Sequence, residues 1–252
     1  MKQFLTIMFV CGAAFAQTKA TTSTAAKSTT AVKKSPAPVR NLLDPSTLKA
    51  TAPAVYKAKF TTTQGDFVIQ VTRAWAPIGA DRFYNLVRGK FFDGAPFFRV
   101  IPNFMAQFGL NPDPNVSKAW SNQNLTDEPV KQSNKRGFVT FAKSSMPNSR
   151  TTQLFINYGD NSRLDADGFA PFGEVIEGMD VVEKFYSGYG DNPSTQGAIQ
   201  QIGKSWIDKN MPKVDSIKIA VIVPAVPPAT APATKATTVK APATKSTTPT
   251  KQ

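Results

Sequence analysis

The chain has 252 residues, with 30 Lys and Arg against 17 Asp and Glu, no histidine and one cysteine. The missing histidine excludes Ser-His-Asp and Cys-His hydrolases, His-ligated zinc enzymes and His general bases in one observation. Of the net charge of +13, ten units fall within residues 1–40 and 224–252, which hold no acidic residue, so +3 remains on the stretch between and the basic balance belongs to the two ends.

Lys2, the apolar residues 4–15 and Ala14-Phe15-Ala16 before Gln17 have the layout of a secretory signal peptide over 1–16. The run is short for a bilayer span, and Met8-Phe9-Val10 ahead of Cys11 lacks the small residues of a lipoprotein processing site. Cleavage after Ala16 would remove the only cysteine, leaving no disulfide and no thiolate. We therefore expect an exported protein, periplasmic or secreted, with no transmembrane segment in its mature chain. Residues 17–40 and 224–252, built from Thr, Ala, Lys, Ser, Pro and Val, cannot bury enough apolar surface to offset the entropy of ordering, so a disordered linker and a disordered tail are expected. Their charge suits weak contact with an anionic cell envelope. They hold no aromatic residue to stack on bases, so no specific nucleic-acid partner is expected.

Residues 41–223 form one domain's worth of chain. Residues 56–63 and 67–72 alternate apolar and polar side chains around Gln64-Gly65-Asp66, which predicts a β-hairpin. Residues 81–87, after Pro77 and before Gly89, carry apolar side chains at helical spacing. Short runs bounded by turn residues predict strands at 97–101, 104–109, 137–142, 153–157 and 170–175. A second short helix follows at 179–185 and a last strand at 214–223. Two helices and about eight strands predict a mostly β fold, a closed eight-stranded antiparallel β-barrel capped by two α-helices.

The most informative run is Phe97-Phe98-Arg99-Val100-Ile101-Pro102-Asn103-Phe104-Met105-Ala106-Gln107, one cation and one amide among apolar residues. It resembles the signature F-H-R-V-I-P-N-F-M-x-Q-G-G of the cyclophilin family of peptidyl-prolyl cis/trans isomerases, with Phe98 in place of its His. The resemblance continues through Phe138-Val139-Thr140-Phe141-Ala142, residues 148–157, Leu164-Asp165 and Phe172-Gly173-Glu174-Val175, and covers about 56–223. It implies the capped barrel, proline-containing unfolded or flexible polypeptides as substrates, and no cofactor or metal. A monomer is the default.

Rotation about an X-Pro bond needs neither nucleophile nor proton transfer, only stabilisation of a twisted amide against a barrier of ~18–20 kcal/mol. In the twisted state the proline nitrogen becomes basic, and a fixed guanidinium gains a stronger hydrogen bond to it. Arg99 is the candidate donor, and with it the resemblance places Phe104 and Gln107 in the catalytic set. Met105, Phe155 and Leu164 fall on the family's proline pocket, Ala142 on a backbone contact and Gln153 on a polar wall. Without the resemblance, Phe104, Met105, Phe155 and Leu164 would be read as core. Arg163 stands where many members keep Trp or Phe, and Phe169 where His is frequent; the first implies weak cyclosporin sensitivity.

Two other patterns carry less. Arg163-x-Asp165-x-Asp167-Gly168 with Glu174 has EF-hand spacing, but Arg in the first ligand position and Pro171 inside the loop argue against calcium. Arg136-Gly137 with Phe138-Val139-x-Phe141 echoes part of an RNA-recognition motif that lacks its partner. The competing functional classes are a proline-peptide binding module tethered by its basic ends, and a protein whose basic ends act while the barrel is only a scaffold.

Overall fold

The computed structural model describes residues 41–224. The expected signal peptide and linker, and the expected tail beyond residue 224, lie outside the described residues. Eight strands run in chain order: β1 (Val55–Thr62), β2 (Asp66–Thr72), β3 (Arg99–Ile101), β4 (Met105–Phe108), β5 (Phe138–Phe141), β6 (Leu154–Asn157), β7 (Pro171–Glu177) and β8 (Ile217–Val223). Among the described residues five α-helices punctuate them: α1 (Pro77–Arg88), α2 (Pro114–Trp120), α3 (Met179–Val182), α4 (Pro193–Ile202) and α5 (Lys204–Asn210). All eight expected strands are present. The two expected helices correspond to α1 and α3; α2, α4 and α5 are additional.

The strands form one antiparallel sheet in the order β3-β4-β6-β5-β7-β2-β1-β8. This corrects the closed barrel: the sheet is an open, strongly curled half-barrel whose edges are β3 and β8. The edges approach only where the chain ahead of β3 meets the start of β8, through an isolated bridge between Pro96 and Ser216 and the bonds Gly94 N to Ile217 O, Phe97 N to Asp215 O and Ile217 N to Ala95 O. Pro96 has no N–H to give a ladder, and β3 itself is three residues long, so closure stops there.

The β1–β2 hairpin turns at Gly65, whose φ of 136° suits glycine. Its register sets Phe60 opposite Phe67, and the rings stack 4.9 Å apart. Around this pair Phe83 of α1, Phe92, Phe97, Phe108, Phe172 and Phe185 interlock in the curl of the sheet, all buried. α1 enters with Pro77 at its first position and no side-chain cap of its own. Glu128 supplies one from outside, accepting from Ile78 N at 2.6 Å and Gly79 N at 2.9 Å, which satisfies two orphan donors with an anion at the positive end of the helix.

A second cluster gathers Phe98, Leu110, Ile199, Ile207 and Met211. Phe98, the departure from the family's His, therefore has a structural role: it anchors α4 and α5 beside the β3 edge.

Candidate active site

β4 and β6 are buried on both faces, yet the faces differ. Ala106 and Phe108 of β4, with Leu154 and Ile156 of β6, belong to the main core, whereas Met105, Gln107 and Phe155 do not. Side chains alternate across a strand, so the same two strands build the core with one set and a cleft with the other. Met105 and Phe155, which would be read as core without the resemblance, lie on the cleft face.

Strand register then lines up the cleft. Arg99 on β3 pairs with Gln107 on β4, Gln107 with Phe155 on β6, and Phe155 with Thr140 on β5. Directly paired residues lie on one face of a sheet about 5 Å apart, so cation, amide and aromatic ring stand in one row. Arg99 Nη1 donates to Gln107 Oε1 at 3.1 Å, and Gln107 Nε2 donates to Gln153 Oε1 at 2.9 Å.

Gly109 lets the end of β4 approach the 144–152 loop. A Cβ there would lie 2.3 Å from the Thr152 carbonyl oxygen, and its φ is 100°.

All eight candidate residues, Arg99, Phe104, Met105, Gln107, Ala142, Gln153, Phe155 and Leu164, line a single cleft of about 440 Å³. Lys143, Ser144, Ser149, Thr151, Phe169 and Gln196 complete the wall. Phe169 stands edge-on to Phe155, with ring centres 5.8 Å apart. The floor is aromatic and aliphatic and the rim carries amides, hydroxyls and cations, a size and mix suited to part of a peptide.

Two supporting groups lay beyond the sequence reading. Asp191, at the approach to α4, grips Arg99 with both oxygens, accepting from Nε at 2.7 Å and Nη2 at 2.8 Å. The Arg99 guanidinium holds the Asp191 carboxyl below the usual carboxylate range. Of Arg99's five N–H donors, Asp191 takes two and Gln107 one, leaving two. No motif links Asp191 to Arg99 across 92 residues.

The other is a polar network centred on Asn134, which is fully buried. Asn134 Nδ2 donates to Asp165 Oδ1 and Phe169 O, and its Oδ1 accepts from Thr140 and Asn157. Asn161 Nδ2 donates to Asn157 Oδ1 and Phe104 O. Phe104, Phe169 and the turn bearing Leu164 are thus fixed through buried amides. Burial alone would raise the Asp165 carboxyl, but bonds from Ser133 and Asn134 outweigh it and hold Asp165 below the ordinary range. That carboxylate, central to the EF-hand-like spacing, is committed to the network.

A curled antiparallel sheet with an apolar pocket beside a clamped guanidinium and a row of amides defines a class of protein that grips a peptide and bears on its backbone. Residues 57–204 match the family model described as cyclophilin type peptidyl-prolyl cis-trans isomerase/CLD. The chain is 36% identical over 183 residues to a peptidyl-prolyl cis-trans isomerase of Acinetobacter baylyi, covering 69% of this chain and 93% of that one. It is 33% identical over 177 residues to peptidyl-prolyl cis-trans isomerase B of Escherichia coli, covering 65% and 97%. A solved cyclophilin type isomerase of Cryptosporidium parvum shares the fold with a TM-score of 0.51 at 21% identity, over 68% of this chain and 98% of that one. The chain belongs to the cyclophilin-type peptidyl-prolyl cis-trans isomerase family, and is an isomerase of X-Pro peptide bonds.

Proposed function

We propose that Arg99 drives the rotation by donating to the proline nitrogen as it loses conjugation, while Phe104, Met105, Phe155 and Leu164 hold the proline ring and Gln107, Gln153 and the Ala142 backbone hold the chain on either side. The observation that carries this reading is the row Arg99–Gln107–Phe155, with Arg99 held side-on by Asp191 and two N–H groups left over. A donor fixed in advance spends no reorganisation when the amide twists, and it binds the pyramidal nitrogen better than the planar one. The aromatic pocket favours neither isomer by charge; it keeps one end of the bond still.

We further propose that the protein is exported through its N-terminal leader and assists folding outside the cytoplasm, where uncatalysed isomerisation takes tens to hundreds of seconds. Its basic ends would add weak envelope contact. Support for this lies in the layout of residues 1–16 and the composition of both ends.

The test is cis/trans exchange of a short Ala-Pro peptide followed by NMR, comparing the full chain with Arg99→Ala. Acceleration by the first and a loss of about 100-fold or more in the second are expected, the scale of removing one preorganised donor. Peptide binding without acceleration in the full chain would replace catalysis with docking. Full acceleration by Arg99→Ala would remove Arg99 from the mechanism.

A further inference from the structure

Arg99 is neutralised by Asp191, yet two more cations stand at the cleft, Lys143 in its wall and Arg163 just outside it over Phe104, and among the described residues neither forms an ion pair. Lys143, half-buried where the chain leaves β5, places Nζ 5.5 Å from the ring centre of Phe169. Arg163, exposed on the turn that bears Leu164, places its guanidinium carbon 4.9 Å from the ring centre of Phe104 and donates to Asn161 Oδ1 at 3.3 Å. Phe104 and Phe169 are both walls of the cleft, so each cation is held over a ring that borders it.

Two of the neighbouring acids are engaged elsewhere. Asp160 pairs with Lys135 at 2.6 Å, and Asp165 faces Ser133 and Asn134. Asp167, exposed on the same turn and next to Gly168, where a Cβ would lie 3.8 Å from Lys143 Nζ, forms no ion pair within 4.0 Å of either cation. Stacking on an aromatic face restrains a cation without consuming its charge, and both heads keep donors for a carboxylate.

We propose that Lys143 and Arg163 make this cleft selective for X-Pro peptides that carry an acidic side chain next to the proline, an inference that rests on the isomerase reading above. A carboxylate arriving on either side of the proline ring meets a restrained, uncompensated cation; a lysine there meets repulsion. One such contact at about 4 Å in high dielectric corresponds to roughly fivefold in binding, and screening removes it.

The experiment measures kcat/KM for isomerisation by the full chain on Ala-Ala-Pro-Ala, Ala-Glu-Pro-Ala, Ala-Ala-Pro-Glu and Ala-Lys-Pro-Ala, each against its own uncatalysed rate. Turnover of the neutral peptide reports the isomerase reading; the acidic-to-neutral ratio reports the charge reading. We expect a ratio of roughly five at about 0.01 M salt, falling towards one at about 1 M, where the Debye length shrinks from ~30 to ~3 Å. Lys143→Gln and Arg163→Gln each lower the ratio, and Lys143→Arg keeps it. Because the basic ends and Arg99 are common to all variants, a preference that survives the double Lys143→Gln/Arg163→Gln change would belong to charges other than these two and overturn the proposal. Equal kcat/KM for acidic and neutral peptides would overturn it as well.

Discussion

Arg99 cannot be exchanged for the other cation. Its Nε and Nη2 edge holds Asp191 while Nη1 reaches Gln107, and a lysine ammonium has no planar fork to do both and still present a donor. Arg99→Lys should therefore lose most of the activity, close to Arg99→Ala, with KM changed less than kcat. Asp191→Asn keeps the shape but leaves one acceptor oxygen where there were two and turns an N–H group towards the guanidinium, so at most one bond of the clamp survives and the counter-charge is lost; a smaller loss, about tenfold, is expected. Wild type and Asp191→Asn should also differ in their response to acid. The Asp191 carboxyl is depressed by its bonds from Arg99, so the clamp is present above the ordinary carboxylate value of about 3.9 and is lost only as pH falls through the lower folded value. The wild-type rate should stay level from neutrality to about pH 4, and Asp191→Asn should show no acid limb from this group. A wild-type profile that stays level down to the onset of acid unfolding, or one that Asp191→Asn reproduces, would remove the clamp's role.

Among elements, the 144–152 loop, which supplies Ser144, Ser149 and Thr151 to the cleft, is fastened by a charge pair the chemistry does not touch. Arg150 and Glu128, with side chains 2% and 4% exposed, pair at 2.9 Å, and Arg150 also donates to Thr126 O. Since Glu128 caps α1, this one pair ties loop to helix. Arg150→Ala leaves a buried carboxylate unpaired and should cost about 3–5 kcal/mol in urea unfolding; an unchanged midpoint would count against it. The sequence showed none of this, because Arg150 and Glu128 lie 22 residues apart with no periodic signal. Strands were legible because alternation and turn glycines are local features. α4 was not: only Thr195 and Ile199 of Pro193–Ile202 are buried, too few for a helical period to register. A different signal was available. Asp113-Pro114 and Asn192-Pro193 are caps followed by proline at the first helical position, and both side chains accept from the helix. The candidate site was legible for the residues inside the family signature and not for Asp191, whose placement depends on how α4 docks on Phe98.

For the molecule as a whole, the absence of histidine shapes stability as much as it shapes chemistry. No unperturbed side chain other than histidine changes charge between pH 5 and 8, and the chain has none. The perturbed carboxyls all move the same way. Lys135 draws Asp160 down to about 2, chiefly by its hydrogen bond. Burial opposes but does not reverse the lowering of Asp81, which accepts from Arg73 and the Ala52 amide, and of Asp165. A carboxyl whose folded pKa is depressed stabilises the fold fully above its unfolded value and ceases to do so as pH falls through the folded one. Thermal unfolding followed by circular dichroism should accordingly give a midpoint that is flat from about pH 5 to 7 and declines only below the ordinary carboxylate value of about 3.9, as the Asn134–Asp165 network and the Arg73–Asp81 pair protonate. A step near pH 6.5 would require a titrating group that this sequence does not contain, and a midpoint unchanged at pH 2 would mean that these carboxylates contribute nothing to the fold.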